Sequence, residues 1–176
     1  MPRQAPILVP ELTRQFGNMN VQKPIAPDAS QTFRAGSLVY LVAGVLTLVP
    51  SDGVLLYGQT PDISHGPTEV PPQALFGENH YVFSPLDAEF EINVGAVSAG
   101  SLVVGASAQV PSTAVIGTAY GIATITTAGP LQGIQVLDLL EVTATLFTVV
   151  GFVDNVLPTD WNGRVRVKAI PSKVQN

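Results

Sequence analysis

The longest apolar stretch of the chain lies early, in residues 33–58, FRAGSLVYLVAGVLTLVPSDGVLLYG. Its most apolar run, residues 38–49, carries no charge and is twelve residues long, whereas a membrane-spanning helix needs about 20. Runs rich in Val, Leu and Tyr on either side of Gly44 predict two strands, 37–42 and 45–49, joined by a turn or bulge. The stretch is therefore expected to form β structure rather than to cross a membrane.

These first strands do not alternate between apolar and polar positions. Strands that are apolar throughout are buried on both faces, so we expect a barrel interior or a partner protein to cover the second face. The sequence Pro50-Ser51-Asp52-Gly53 predicts a turn after them, with Pro near φ −65° and Gly supplying a positive φ. Residues 54–57 then return as a further apolar segment.

Further along, LDAEFEINV (residues 86–94) alternates strictly and predicts a strand with one apolar and one acidic face. Other strands are predicted at 102–104, 115–118, 121–126, 142–150 and 164–170, the last preceded by the hairpin signal Asn162-Gly163. Residues 135–141 could form a helix of at most two turns. With 16 Gly and 15 Pro, the chain is predicted to be all-β, with a small barrel or sandwich body over residues 35–176.

Residues 1–34 are predicted to form an extended N-terminal arm. Five prolines interrupt any helix there, yet the segment keeps many apolar side chains, which a purely flexible tail would lack. A second irregular stretch, the loop at 58–85, is rich in Pro and Gly, and loops of that length are usually functional or interface-forming. Both segments point to contact with a neighbouring molecule.

A repeated sequence pattern suggests a duplicated β unit. AGSLV occurs at residues 35–39 and again at 99–103, each copy being followed by Val-Pro-Ser and then Tyr-Gly in the same order. The two units would be 35–58 and 99–121, and coincidence in a chain rich in Ala, Gly, Ser and Val is the alternative.

Charge is distributed unevenly along the chain. No Lys or Arg occurs in residues 35–163, where eleven acids lie, whereas the first 34 residues carry a net charge of +2 and the last 13 carry +4. Nucleic-acid binding needs clustered cations, so the body is not expected to bind it. An acidic body with basic ends suits docking onto surfaces of mixed sign, including copies of itself, unless the acidity only maintains solubility.

The sequence offers little catalytic chemistry. It contains no Gly-x-Ser-x-Gly nucleophile elbow, no Gly-x-Gly-x-x-Gly or Walker loop, and no Cys for disulfides or thiolate sites. Asp62, His65, Glu78 and His80 could converge on a metal ion, but solvated loop side chains are the stronger expectation. We therefore predict a protein that is not an enzyme and needs no cofactor.

The acidic face of the 86–94 strand, Asp87, Glu89 and Glu91, has three interpretations. These carboxylates could bind Ca²⁺, form the solvated face of an edge strand, or meet the basic arm or the cationic 164–168 strand of a neighbouring copy. In that last strand Arg164, Arg166 and Lys168 share one face, opposite Val165, Val167 and Ala169. Among the three interpretations, solvation is favoured over an ionic interface, and a metal site is least favoured.

Two segments, FRAGSLVYLVAGVLTLVPSDGVLLYG and VVGFVDNVLPTDWNGRVRVKAIP, resemble the β-rich head decoration (cement) proteins of tailed bacteriophages. Members often pair a Gly-led apolar strand with a return ending in Gly and close with a Val-rich strand, roles taken here by Gly36, Gly58, Gly151 and residues 163–167. The resemblance covers residues 33–58 and 146–171. The 58–85 loop and the apparent duplication go beyond it.

The resemblance implies a structural virion protein on the capsid exterior that clamps neighbouring major capsid subunits. It also implies a homo-oligomer, with a trimer favoured, and extended terminal arms that make the contacts. The partner contacts we predict are therefore Arg3, Ile7, Leu8, Val9, Leu12, Arg14 and Phe16 in the arm, with Arg164, Arg166 and Lys168 in the last strand. The alternative for the arm residues is that they pack back on the protein's own body.

Two other functions stay open at this point. One is a different virion role, such as a minor capsid, tail or fibre-base component. The other is a β-barrel module that binds a carbohydrate or small ligand through the 58–85 loop, which predicts a soluble monomer with a formed pocket.

Overall fold

The computed structural model describes residues 13–17, 25, 28, 31, 36–60, 84–86, 88–105, 108–153 and 159–175, and all elements named below lie in these ranges. No α-helix occurs there, which confirms the all-β prediction. Short 3-10 turns lie at Thr113–Val115 and Pro171–Lys173. The strands are β1 (Thr13–Gly17), β2 (Leu38–Val42), β3 (Val45–Leu48), β4 (Gly58–Gln59), β5 (Ala88–Asn93), β6 (Val97–Ser98), β7 (Ser101–Leu102), β8 (Ala119–Thr124), β9 (Gln135–Asp138), β10 (Phe147–Phe152) and β11 (Arg164–Ala169).

Six antiparallel strands form the main sheet, in the order β1-β5-β11-β10-β8-β9. The sheet curls until β9 returns to β5, where Leu137 and Val94 form a parallel bridge. The Gly95 N–H then donates to the Leu137 carbonyl at 3.0 Å. Strands β5, β11, β10, β8 and β9 thus make a half-barrel, which agrees with the predicted barrel body.

A smaller sheet, β3-β2-β4, packs against the half-barrel and shares its core. Phe90 and Phe147 meet edge to face in that core, with ring centroids 5.8 Å apart and an interplanar angle of 69°. Leu38 and Val49 bring the small sheet into the same cluster, and both are fully buried. The core is therefore continuous between the two sheets.

The start of β2 and the residues that pack around it are buried on both faces, as the lack of alternation predicts, whereas Val42, Val54 and Leu55 of the same stretch are exposed. On one face Leu38 and Val49 enter the main core, and on the other Val39 and Leu46 pack with Tyr57 in a second cluster. All but Tyr57 have no exposed surface, and Tyr57 is buried as well. In this chain the second face is thus covered by the protein's own residues.

Two turns in this region show how the backbone is accommodated. Ala43 and Gly44 join β2 to β3, and their φ values of 51° and 83° are those of a two-residue hairpin turn. At residues 50–53 the turn forms as predicted, but Asp52 takes the positive φ, 61°, in place of Gly53. Gly53 is needed for close approach, because a Cβ there would lie 2.6 Å from Val49 Cγ1.

Two local predictions were wrong. The helix expected at 135–141 is strand β9 followed by a turn, because both faces of residues 135–137 are buried when β9 closes the half-barrel. The strand expected at 115–118 is replaced by the 3-10 turn at Thr113–Val115, which buries Val115 and returns the chain to β8. Short apolar runs leave helix and strand ambiguous, and tertiary pairing decided both cases.

Asn162-Gly163 immediately precedes β11 but does not form a two-residue hairpin. Residues 153–163 separate β10 from β11, and the Gly163 N–H donates to the Asp160 carbonyl. Asn162, with φ 53° and no exposed surface, donates its amide to the Val94 carbonyl at 3.1 Å. Its role is to join the start of β11 to the end of β5.

The two segments that carry the repeated sequence pattern do not share a strand order. Strand β2 pairs with β3 and β4, which both follow it, whereas β7 pairs with β6, which precedes it. What they share is local: Gly36 and Gly100 have φ values of 80° and 77° just before the Ser-Leu strand start. The proposed units 35–58 and 99–121 thus differ in their pairing over the described residues.

Glutamine side chains substitute for missing strand neighbours at several places. Gln135 is 1% exposed, accepts from the Leu38 N–H at 2.7 Å, and donates to the Leu38 and Val49 carbonyls at 2.9 and 3.0 Å. Gln175 binds both backbone groups of Leu41 in the same way, at 2.7 and 3.2 Å. The amide of Gln135 thereby joins the small sheet to the half-barrel.

Gly121, inside β8, is a glycine whose substitution we expect to be costly. A Cβ there would lie 2.5 Å from Glu141 Cγ and 2.6 Å from the Ala144 carbonyl oxygen. Because a backbone atom cannot move aside cheaply, Gly121→Ala is expected to lower the free energy of unfolding by about 2 kcal/mol. Chemical denaturation measures this difference.

The matched control is Gly151→Ala in β10. A Cβ at Gly151 would meet only the Arg166 side chain, 3.1 Å from Nη2, and that flexible end can shift. The control should change the free energy of unfolding by less than about 1 kcal/mol. Equal losses in the two variants would contradict this account of Gly121.

Candidate interaction surfaces

The predicted partner contacts of the N-terminal arm fall only partly within the described structure. Arg14 and Phe16 lie on β1, which pairs antiparallel with β5 of the same chain, so that Arg14 is in register with Glu91 and Phe16 with Glu89. The other predicted arm contacts lie outside the described residues: Arg3, Ile7, Leu8, Val9 and Leu12.

Three single described residues of the arm also contact the body of their own chain. The Asp28 N–H donates to the Leu46 carbonyl at 2.8 Å, and Gln31 Oε1 accepts from the Leu48 N–H at 2.7 Å. Ile25 packs against the cluster that contains Leu46. The described parts of the predicted arm thus contribute hydrogen bonds and packing to β3 and β5.

The cationic face predicted for the last strand forms on β11, and its first member is buried. Arg164 is 5% exposed, and its Nη1 lies 3.1 Å from Glu91 Oε2. Its Nε also donates to Asn93 Oδ1 at 3.3 Å. Opposite these residues, Val165 and Val167 are fully buried in the core, as the alternating pattern predicts.

Arg166 and Lys168 are the exposed members of this face. Both lie beside Glu89, with Arg166 Nη1 at 4.0 Å from Oε2 and Lys168 Nζ at 3.4 Å from Oε1. Their side chains are 48% and 54% exposed, so these ion pairs are screened by solvent. We call Arg166, Lys168 and the neighbouring Val150 of β10 the β11 cationic face.

The acidic residues of β5 bind cations of the same chain. Glu89 and Glu91 both pair with β11, an arrangement that the three sequence-based interpretations did not include, whereas Asp87 lies outside the described residues. The proposed convergence of Asp62, His65, Glu78 and His80 lies outside them too, as does most of the 58–85 loop. Within the described ranges, no three His, Cys, Asp or Glu side chains are placed to hold a metal ion.

The turn at residues 138–144, which begins at the last residue of β9, exposes a surface that the sequence analysis did not predict. Asp138 Oδ1 accepts from the Leu140 N–H at 2.9 Å, and Glu141 Oε1 accepts from the Thr143 and Ala144 N–H groups at 2.7 and 2.6 Å. The Gly121 N–H donates to the Glu141 carbonyl at 2.8 Å. The spacing of Asp and Glu three residues apart, just before an apolar strand, was the available signal for such a side-chain-capped turn.

Carboxylates gather beside this turn. Burial, a side-chain hydrogen bond to Glu141 and the charges of Glu141 and Asp138 raise the pKa of Asp52. Hydrogen bonds from the backbone of Ala144 and Thr143 lower the pKa of Glu141. Of the two groups, Asp52 is therefore the one whose ionised form is disfavoured, whereas backbone hydrogen bonds stabilise Glu141 as the carboxylate.

We expect Asp52→Asn to stabilise the protein slightly at pH 7. A raised pKa in the folded state means that Asp52 favours folding at low pH and that this contribution is lost as pH rises through the folded pKa. Asn keeps a donor for Glu141 and suits the positive φ of this position. The gain should stay well below about 1 kcal/mol because the site is exposed. It should shrink as the pH falls through the raised folded pKa and should be absent below 3.8, the ordinary pKa. Parallel stability curves for the two proteins between pH 3 and 7 would contradict this.

A cleft of about 480 Å³ opens between the ends of β3 and β8. Its polar side chains are Gln31, Ser51, Thr124, Thr126 and Gln132, all uncharged. Ser51 and Thr124 are already engaged, because Ser51 Oγ accepts from the Thr124 N–H and the Thr124 hydroxyl donates to the Val49 carbonyl. The cleft thus supplies no titratable group for acid or base chemistry.

Comparison with family models, curated proteins and solved structures finds no match for this chain. Among the described residues, no helix has the length and apolar character needed to cross a membrane.

Proposed function

We propose that the chain is a structural virion protein, a decoration or cement protein that binds the outer surface of a capsid and clamps neighbouring major capsid subunits. The proposal rests on the sequence resemblance and on one structural observation. That observation is β1, in which residues 13–17 of the predicted arm add to a sheet edge by main-chain pairing. The observed pairing is within one chain, and the same kind of main-chain pairing to a neighbouring chain is a common way to bind another protein.

The position of β1 in the chain suits such a clamp. Ile25, Asp28 and Gln31 contact the body of the same chain, so we assign the capsid contact to the part of the arm that precedes β1. Residues 1–12, which precede β1, carry the apolar side chains that we assign to the capsid contact: Ile7, Leu8, Val9 and Leu12, with Arg3 as a polar anchor.

Binding to empty shells of the phage that encodes the chain tests this role. We compare the wild type with a variant in which residues 2–12 are replaced by a Gly/Ser segment of equal length, which keeps β1 and the body. Many copies acting on one shell amplify a weak contact, so losing the arm contact should reduce cosedimentation at least about tenfold.

The control is Val104→Thr, which alters an exposed apolar side chain of the body, 57% exposed, and should bind as the wild type does. Unchanged binding of the Gly/Ser variant would contradict the assigned arm contacts. Absence of wild-type binding to the shells would contradict the proposed function itself.

A further inference from the structure

Two large apolar side chains stand out on the described surface, both in the 138–144 turn. Leu140 is 80% exposed and Val142 is 62% exposed, the highest values among the exposed large apolar residues of the described chain. Single exposed apolar residues are normal, but two at the tip of one turn form a small protruding apolar surface.

This protruding surface is held rigidly. Side-chain carboxylates of Asp138 and Glu141 bind the N–H groups of Leu140, Thr143 and Ala144, each at 2.9 Å or less. From outside the turn, Gln109 accepts from the Leu139 N–H at 2.7 Å and donates to Asp138 Oδ1 at 2.5 Å. Because the backbone is already ordered, docking the two apolar side chains costs little conformational entropy.

The surroundings of the turn are acidic, which restricts the partner. Asp52 lies close enough to Glu141 and Asp138 for their charges to raise the pKa of Asp52. No Lys or Arg occurs in residues 35–163, so no cation from that part of the chain neutralises these acids. A complementary partner surface therefore has an apolar contact flanked by cations.

The molecule itself presents a surface of this chemistry, with an exposed apolar side chain beside two cations. On the β11 cationic face, Arg166 and Lys168 are about half exposed, and Val150, 37% exposed, stands out on β10 where the pairing with β11 shifts by one residue. Arg166 and Lys168 share the single carboxylate of Glu89, so these three side chains together keep a positive charge.

We propose that the 138–144 turn of one copy docks on the β11 cationic face of a second copy. Leu140 and Val142 would contact Val150 and the aliphatic stems of Arg166 and Lys168, while the acids around the turn face the two cations. The surfaces differ, so the contact is head-to-tail, and it generates a ring if the rotation between copies closes. This inference concerns the isolated chain and does not depend on the proposed capsid role.

Sedimentation velocity of the purified full chain over a range of concentrations tests the contact with two variants. The turn variant carries Leu140→Asn and Val142→Thr, and the face variant carries Arg166→Gln and Lys168→Gln. Each is expected to dissociate at least about tenfold more readily than the wild type, and raised salt should weaken only proteins that keep both surfaces. The control, Val104→Thr with Ile116→Thr, changes residues that are 57% and 46% exposed and should associate like the wild type.

Mixing the two variants gives the decisive result. Each variant keeps one intact surface, so an equal mixture should form a 1:1 complex that grows no further, with the affinity of the wild-type contact, although each variant alone associates at least about tenfold more weakly. Thermal unfolding of each variant checks that it is folded. A wild type that stays monomeric, variants that associate like the wild type, or a mixture that forms no complex would each overturn the proposal, whatever the shell-binding result.

Discussion

Replacing Gln135 by Leu is expected to lower the free energy of unfolding by about 3 kcal/mol. Leu has a similar size but no polar atom, so the Leu38 N–H loses an acceptor 2.7 Å away in a fully buried position. The Leu38 and Val49 carbonyls lose a donor at the same time, although each keeps another partner, the Val49 N–H and the Thr124 hydroxyl. Denaturant unfolding at pH 7 measures the loss.

Gln175→Leu is the matched control for this result. Gln175 binds Leu41 on the same strand with the same two-point geometry, but the pair is only partly buried, so water can replace the lost amide. We expect the control to lose about 1 kcal/mol or less. Similar losses in both variants would show that burial does not decide the strength of these side-chain clamps.

Arg164→Met is expected to lower the free energy of unfolding by about 3–5 kcal/mol. The Glu91 side chain is 11% exposed, and without Arg164 its carboxylate would stay buried with its ion-pair partner removed. The double variant Arg164→Met with Glu91→Leu removes both charges and should recover most of the loss, because apolar side chains of similar volume can replace a buried pair.

Lys168→Met provides the exposed comparison. Lys168 pairs with Glu89 across the same two strands, but its side chain is 54% exposed, so its removal should cost about 1 kcal/mol or less. If the double variant were no more stable than Arg164→Met, the loss would come from packing rather than from an unpaired buried charge.

The strands that the sequence predicted best are those whose pattern repeats with period two or whose ends carry clear turn residues. Residues 86–94 and 164–170 were predicted from alternation, and the structure places β5 and β11 there as neighbours in the main sheet. The hairpin at Gly44 followed from local chemistry in the same way. These features depend on neighbouring residues, which is why one sequence suffices to find them.

Closure of the half-barrel could not be predicted in this way. It depends on the Leu137–Val94 bridge and on Gln135, whose partners lie 97 and 86 residues away in the chain. The short run that contains them is apolar enough to suit a helix or a strand, and only the distant partners decide between the two.

The same distinction between neighbouring residues and distant contacts applies to the candidate interaction surfaces. The alternation of charge in residues 164–168 located the cationic face, but it could not separate buried Arg164 from exposed Arg166 and Lys168, because that depends on the Glu91 of another strand. The exposed Leu140 and Val142 were missed because their apolar character alone suggested a buried position.

The central claim, that this chain is a structural protein on the outside of a capsid, is tested most directly by electron cryomicroscopy of empty phage shells mixed with the purified chain. We predict added density on the outer surface that bridges neighbouring capsid subunits, with the half-barrel identifiable in it. Shells without added density, or density confined to the tail or its attachment site, would contradict the claim.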